Sequence, residues 1–117
     1  MNDARATVLL FSYGTLRKKS VQIANFAREL TGREDVLPGY TQKLVAITDP
    51  QIAVWIGETH YANVEPSSNP EDTISGTVFE ITERELAAAD QYEEAAQYRR
   101  ILVTLGSGDQ AWVYVRA

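Results

Sequence analysis

The chain has 117 residues, a hydrophobic content of 44% and a formal net charge of −5. These values are typical of one soluble globular domain over residues 1–117 and argue against a disordered chain. The negative charge, spread along the sequence, disfavours nucleic acids and anionic membranes as partners. With no cysteine and a single histidine, disulfides, thiolate zinc sites and cysteine nucleophiles are excluded, and a histidine zinc site is disfavoured.

The beginning of the chain, Met1–Arg5, lacks the apolar segment of a secretory signal peptide. No apolar run approaches the length that a membrane-spanning helix needs. We therefore expect a cytoplasmic enzyme or binding domain with no membrane partner.

The first predicted element is a buried strand, because Val8–Phe11 form a continuous apolar run. The strand breaks at the turn Tyr13-Gly14-Thr15-Leu16, where Gly14 allows the backbone to bend sharply. Consecutive backbone N–H groups in such a turn can converge on an anion without any side-chain charge. The segment is therefore either a cradle for a carboxylate or phosphate, or an ordinary turn that ends a strand.

A short helix is predicted after Ser20, with one apolar face and a C-terminal cap at Gly32. The apolar face comprises Ile23, Phe26, Ala27 and Leu30.

The middle of the chain is predicted to alternate short strands with turns. Leu44–Ile47 form one strand, closed by Asp49-Pro50, and Ile52–Ile56 are compatible with another. Asn63–Thr73 contain two prolines and little apolar content. We expect this segment to be a mobile loop near the mouth of the ligand cavity.

The second half begins with a strand predicted over Gly76–Ile81. Thr82 and Glu85 have the spacing of a capping box, in which each satisfies a backbone N–H group at the start of a helix. The helix that follows is expected to direct one side into the core. The side chains on that side are Leu86, Ala89 and Tyr92.

The last two predicted strands, Arg100–Leu105 and Ala111–Val115, form a hairpin around Gly106–Gln110. Strands outnumber helices without strict βαβ alternation, which favours an α+β fold with a mixed or mainly antiparallel sheet that can curl into a barrel. Gly106–Ala111 also match the G-x-G-x-x-A pattern of dinucleotide-binding loops, but a strand follows them instead of the required helix. No P-loop pattern is present, and we expect no cofactor.

Two further features have two interpretations each. The basic run Arg17–Lys19 either helps to attract an anionic ligand or is a solvated charge run. The single histidine, His60, is either a general base or a structural or surface residue.

The acidic segment Asp90–Glu94 lies at the predicted end of the second helix, where the helix dipole disfavours negative charge. A local rule broken in this way often marks a functional site. Glu93, between Tyr92 and Tyr98, could occupy a half-apolar pocket that raises its pKa and makes it a proton shuttle. The alternative is an exposed acidic turn.

Together these segments resemble the γ-glutamylcyclotransferase-like family, which includes γ-glutamylamine cyclotransferases and AIG2-like proteins. Each motif is short, but their order and spacing match over about Leu9–Val115. The matching residues are Tyr13-Gly14-Thr15-Leu16, Gly76-Thr77-Val78-Phe79-Glu80-Ile81, Asp90-Gln91-Tyr92-Glu93, Tyr98-Arg99-Arg100 and Ala111-Trp112-Val113-Tyr114-Val115.

The resemblance implies a small mixed β-barrel with flanking helices and cleavage of a γ-glutamyl amide to 5-oxoproline and a free amine. It implies that Glu93 is the catalytic acid and base. Backbone amides of the turn would hold the substrate carboxylate, so the substrate-binding residues are expected to be Tyr13, Gly14, Thr15, Leu16 and Tyr98. This chain departs from the family at Glu94, where a glycine is usual.

Two hypotheses follow from this resemblance. In the first, the protein is a cyclotransferase that acts on a small molecule carrying a γ-glutamyl group, without metal or cofactor. In the second, it is a non-catalytic domain of the same fold that binds a small ligand or a partner, and Glu93 is structural. Only the first requires Glu93 to share a cavity with Tyr13–Leu16. The leaving group would contact variable loops such as Asn63–Thr73.

Overall fold

The computed structural model describes residues 7–57 and 59–116. Its elements alternate strands with short helices in an α+β arrangement, as the sequence predicted. In chain order they are β1 (Thr7–Ser12), a single 3-10 turn (Thr15–Arg17), α1 (Lys19–Phe26), β2 (Gly32–Pro38), β3 (Tyr40–Ala46), α2 (Pro50–Ile56), β4 (His60–Pro66), β5 (Thr73–Thr82), α3 (Glu83–Ala95), β6 (Tyr98–Thr104) and β7 (Gln110–Arg116).

The main sheet has five strands in the order β2-β5-β1-β7-β6, and β3 pairs with β4 in a separate two-stranded ribbon. β1 pairs in parallel with β7, at Leu10 opposite Trp112, and the other pairs are antiparallel. Since β1 is the central strand, the turn that follows it lies at the end of the sheet's middle strand.

The sheet does not close into the barrel that the sequence analysis expected. Its two outer strands, β2 and β6, are not paired with each other. Instead, the β6–β7 turn folds back on β2: Gly106 donates its N–H to the Val36 carbonyl at 2.8 Å, and Ser107 Oγ donates to Asp35 Oδ2 at 2.6 Å. A turn therefore occupies the position where strand pairing would have closed the barrel.

Alternating side chains of β1 belong to two hydrophobic clusters on opposite faces of the sheet, as the pleat of a strand requires. Phe11 packs on one face of the sheet, in a cluster with Val78 and Val113. Leu10 packs on the other face, in the cluster that contains Leu86 of α3 and Phe26 of α1. Because both faces of β1 are packed, its end at Ser12 holds the turn that begins at Tyr13 in a defined position.

Residues Ile52–Ile56 form helix α2, so the short strand expected there was wrong. Asp49 caps the helix by accepting the Gln51 N–H at 2.9 Å, and Pro50 occupies the first turn, where its missing N–H costs nothing. Gly57 ends the helix with a φ of +77°. These end signals outweigh an apolar run that is compatible with either a helix or a strand.

The helix after Ser20 is also shorter than expected, since α1 ends at Phe26 and Ala27 forms its left-handed cap. Gly32, expected to cap the helix, instead opens β2 opposite Phe79. Ile23, expected on the buried face, is 46% exposed. Leu30 reaches the core after the helix has ended.

The loop expected over Asn63–Thr73 is only partly present. Asn63–Pro66 belong to β4 and Thr73 begins β5. The connection between these strands is tied down, because Gly39 donates its N–H to the Asp72 carbonyl at 2.8 Å and accepts the Ser67 N–H at 2.9 Å. Strand pairing with β3 thus overrides the turn-forming composition of this segment.

The elements of the second half agree with the sequence. β5 contains the strand expected over Gly76–Ile81, and β6 and β7 form the expected hairpin. The capping box is present, with Thr82 Oγ1 accepting the Glu85 N–H at 3.1 Å and Glu85 Oε1 accepting the Thr82 N–H at 2.9 Å. No helix in the described part of the chain is long and apolar enough to cross a membrane.

Candidate functional site

The turn after β1 is held by Arg17, whose guanidinium folds back over it. Arg17 donates from Nε to the Gly14 carbonyl at 3.2 Å and from a terminal nitrogen to the Tyr13 carbonyl at 2.8 Å. Gly14 donates its N–H to Ser12 Oγ at 3.3 Å. Within residues 7–57 and 59–116, the N–H groups of Thr15 and Leu16 have no acceptor. The turn therefore offers two free backbone donors, which is what an anion cradle needs.

Gly14 itself does not have the role that the sequence suggested. Its φ is −131°, which other residues also adopt. A Cβ atom built on Gly14 has no heavy atom within 4 Å. The chain does bend at Gly14, as expected, but with φ −131° and ψ −145° the residue is not in the left-handed region, and no neighbouring atom would crowd a side chain there.

A buried glutamine, Gln22 of α1, fixes the far side of the same turn. Its Nε2 donates to the Leu16 carbonyl at 2.9 Å, and its Oε1 accepts the Leu30 N–H at 2.8 Å. The side chain is 3% exposed. The sequence analysis missed Gln22, although its position four residues before Phe26 places it on the buried face of the helix.

Helix α3 brings Glu93 to the turn. Leu86, Ala89 and Glu93 lie on the buried side of the helix, and Glu93 is 9% exposed. One residue earlier, Tyr92 shares a hydrogen bond of 2.7 Å between its hydroxyl and Thr15 Oγ1. This bond joins the helix directly to the turn.

The Glu93 carboxyl is surrounded by protein but has no hydrogen-bond partner among the described residues. Burial removes water from the charged form and raises the pKa of Glu93 to about 7. Glu93 is therefore buried and does not belong to an exposed acidic turn, the alternative that the sequence left open. A carboxyl group with this pKa can accept and return a proton near neutral pH.

Three tyrosine hydroxyls around Glu93 are used to hold the fold. Tyr13 donates to the Tyr114 carbonyl at 2.7 Å, Tyr98 to the Ala62 carbonyl at 2.5 Å, and Tyr114 to Asp90 Oδ1 at 2.7 Å. Burial, the largest cause, raises the pKa of both Tyr13 and Tyr114, so these phenols stay neutral. Tyr13 can thus serve a ligand through its backbone, while its side chain belongs to the core.

One cavity of about 590 Å³ collects these groups. All six residues expected in the site line it: Glu93, Tyr13, Gly14, Thr15, Leu16 and Tyr98. Arg17 and Lys18 of the basic run also line it, as does the exposed His60, whose Nδ1 lies 3.0 Å from Thr59 Oγ1.

The opposite wall of the cavity was not expected. It comes from the β3–β4 ribbon, at Gln42, Leu44, Thr59, His60 and Ala62. The segment Asn63–Thr73 does not line the cavity, so its expected place at the mouth was wrong. Finding the ribbon wall from sequence would have required knowing that β3 and β4 pair away from the main sheet.

The described residues offer no metal centre, since no group of three His, Cys, Asp or Glu side chains lies together in that part of the chain. What the cavity does offer is Glu93, a carboxyl group that can change protonation state near neutral pH, in the same lining as the turn with its backbone donors. This combination suits proton transfer on a bound anion.

Several solved structures share this fold. One titled gamma-glutamyl cyclotransferase has a TM-score of 0.74 and 15% identity, covering 96% of this chain and 68% of that one. An uncharacterized protein from Homo sapiens has a TM-score of 0.70 and 18% identity, with coverages of 95% and 67%. A protein from Arabidopsis thaliana has a TM-score of 0.66 and 18% identity, with coverages of 99% and 66%.

This chain thus spans about two thirds of the length of each of these structures. No curated protein sequence matches it. At the family level, residues 10–117 match the model of gamma-glutamyl cyclotransferase, AIG2-like. That match covers nearly the whole chain and confirms the resemblance seen in the sequence, so the chain belongs to the gamma-glutamyl cyclotransferase, AIG2-like family.

Proposed function

We propose that this protein is a γ-glutamyl cyclotransferase that converts a γ-glutamyl amine or peptide to 5-oxoproline and a free amine. The observation that carries the proposal is that Glu93, with its raised pKa, lines the same cavity as Thr15 and Leu16, whose N–H groups have no acceptor among the described residues. A carboxylate site alone would need only the turn.

In the proposed reaction the substrate supplies its own nucleophile. Its α-amine attacks its γ-carbonyl carbon, forming the new C–N bond of the five-membered lactam, and the original amide C–N bond breaks. Glu93 as a carboxylate accepts a proton from the attacking amine. The protonated Glu93 then donates that proton to the departing nitrogen, so the enzyme ends the cycle in its starting form.

The turn has the second role in this proposal. The backbone donors of Thr15 and Leu16 hold the substrate α-carboxylate, and Arg17 adds positive charge while fixing the turn's carbonyls. Anchoring the carboxylate folds the flexible glutamyl chain toward the geometry of attack. Orientation of this kind can lower a barrier by on the order of 7–11 kcal/mol, and a positioned acid–base group typically adds about 10²–10⁴-fold.

The variant Glu93→Gln tests the proton shuttle. The amide has nearly the same shape as the carboxyl group but cannot accept a proton from the substrate amine. We expect 5-oxoproline release to fall at least about 10²-fold while binding of the substrate, measured by calorimetry, persists. The assay uses a panel of γ-glutamyl amines and peptides.

Glu94→Gln is the matched control, because Glu94 is the neighbouring residue and its side chain is exposed. We expect it to keep nearly full activity. Turnover that survives in Glu93→Gln would refute the assigned role. A wild-type protein that binds γ-glutamyl compounds but releases no 5-oxoproline would instead be the non-catalytic binding domain.

A further inference from the structure

One face of the β3–β4 ribbon forms a wall of the cavity. Leu44 lies opposite Ala62 in the ribbon, and Gln42 lies on the same face of β3, two residues before Leu44. All three line the cavity. Leu44 is 69% exposed, although it stands at the centre of this wall. A ligand that fills the cavity would therefore cover a large part of an apolar side chain.

The ribbon wall is held in a fixed position relative to Glu93. Tyr98, which lines the cavity, donates its hydroxyl to the Ala62 carbonyl at 2.5 Å. The next residue of the ribbon, Asn63, accepts the Arg116 N–H at 2.9 Å. These two bonds attach β4 to the main sheet beside Leu44's cross-strand partner, so Leu44 faces the same space as the proposed acid–base group.

The cavity is larger than a γ-glutamyl group requires. Its volume of about 590 Å³ lies in the range in which pockets bury most of a drug-sized ligand. With the α-carboxylate at the turn and the γ-carbonyl beside Glu93, the remaining wall is the ribbon face. The group attached to the γ-carbonyl nitrogen, which becomes the leaving amine, is the part of the substrate left to contact it.

The chemistry of this wall favours carbon over charge. Leu44 and Ala62 are apolar, and Gln42 and Thr59 are uncharged. The remaining residue of the wall, His60, supplies no negative charge that could pair with a cationic leaving amine. Among the described residues that line the cavity, Glu93 is the one carboxylic acid, so a cationic group on the leaving amine would find no second carboxylate there. An aliphatic chain would gain by covering Leu44.

We propose that Leu44 is a specificity-determining residue that contacts the carbon chain of the leaving amine, so that γ-glutamyl amides of aliphatic amines are preferred over those of the smallest amines. This inference rests on the proposed function and names the substrate class within it.

The test compares γ-glutamyl methylamide with γ-glutamyl butylamide. For the wild type we expect kcat/KM to be at least about 10-fold higher for the butylamide. A single methylene bound in an apolar pocket can contribute about 10-fold or more to kcat/KM. Leu44→Thr keeps a side chain suited to a strand but removes most of the apolar surface. We expect it to lose most of this preference, because its kcat/KM falls much further for the butylamide than for the methylamide.

Val45→Thr is the matched control, because Val45 follows Leu44 in the same strand, points to the other face and does not line the cavity. We expect Val45→Thr to keep the wild-type preference. Leu44→Ile, which retains an aliphatic side chain at position 44, should keep it as well. Equal kcat/KM of the wild type for both amides, or an equal loss on both in Leu44→Thr, overturns the proposal.

The failure of the proposed function gives a different result. If neither amide releases 5-oxoproline, calorimetry on the same two compounds decides the question. Tighter binding of the butylamide by the wild type, lost in Leu44→Thr and kept in Val45→Thr, retains the subsite in a non-catalytic protein. Equal affinity, or no binding of either compound, overturns it.

Discussion

Glu93 links the acidity of one carboxyl group to the stability of the whole protein. Its carboxyl group is buried without a hydrogen-bond partner among the described residues, so the charged form is less well solvated than in the unfolded chain. Burial raises the pKa from 4.5 to about 7. The residue that gives the site its proposed chemistry is therefore one that weakens the fold whenever it is ionised.

The pH dependence of stability follows from this pKa. Because the folded-state pKa is raised, the contribution of Glu93 is fully present below about pH 4.5 and is lost as the pH rises through about 7. Glu93→Gln is neutral at every pH and escapes this loss. Between pH 4 and pH 8 we expect the free energy of unfolding of the variant to gain about 3 kcal/mol relative to the wild type.

Urea denaturation of both proteins at a series of pH values measures this difference, since carboxyl groups common to both cancel. Glu94→Gln, at an exposed position, should show no such trend. A difference between wild type and Glu93→Gln that is independent of pH would mean that Glu93 is not held in the environment described here.

Among the elements, α1 matters to the site through one side chain. Gln22 joins the Leu16 carbonyl in the turn to the Leu30 N–H after the helix, and both bonds are buried. The turn is thus supported by Gln22 from one side and by Arg17 from the other. Gln22 does not line the cavity, yet it helps to hold the turn residues that do.

Replacing Gln22 with leucine should cost stability and weaken binding. Leucine has a similar size but leaves a buried donor and a buried acceptor without partners, each worth about 1–3 kcal/mol. We expect the free energy of unfolding to fall by at least about 2 kcal/mol, measured by urea denaturation, and KM for a γ-glutamyl amide to rise. The exposed Gln91→Leu is the control and should change stability by less than about 0.5 kcal/mol.

How much could be predicted from the sequence differs between elements. The strand that begins near Val8, the capping box at Thr82 and the place of Glu93 near the end of a helix all depend on residues close together in the chain, and the structure contains all three. Ile52–Ile56 were not, because a short apolar run fits both a helix and a strand. There the decisive features were the end signals Asp49, Pro50 and Gly57.

The rest of the site depends on contacts between distant residues. The ribbon wall exists because Leu44 pairs with Ala62, and the support from Gln22 exists because the chain returns at Leu30. The local sequence pattern predicts neither the pairing of Leu44 with Ala62 nor the hydrogen bond between Gln22 and Leu30. The composition of Asn63–Pro66 even argued for a loop, and pairing with β3 made it a strand.

At the scale of the whole molecule, the two sheets differ in their support. β1 and β5 each have neighbours on both sides in the five-stranded sheet, whereas β3 and β4 pair only with each other. A two-stranded ribbon is marginally stable by itself. The half of the cavity that carries Glu93 is therefore built on a firmer base than the half that carries Leu44.

Amide hydrogen exchange should show this difference. We expect the amides of β1 and β5 to exchange most slowly, and those of β3 and β4 to exchange faster, through local opening of the ribbon. Within the connection between β4 and β5, the hydrogen-bonded amides of Ser67, Asn69, Glu71 and Asp72 should exchange more slowly than the amide of Ser68. Ribbon amides as protected as those of β1 would contradict this account.

The hydrogen bond from the Tyr13 hydroxyl to the Tyr114 carbonyl joins residues 101 positions apart. On a translating ribosome, β1 emerges long before its parallel neighbour β7, by roughly 5–20 s at ordinary rates of synthesis. Throughout that interval the turn at Tyr13–Leu16 exists as sequence but has no cavity to line. A nascent chain therefore cannot bind its ligand before β7 has been made, and ligand binding reports that β7 has paired with β1.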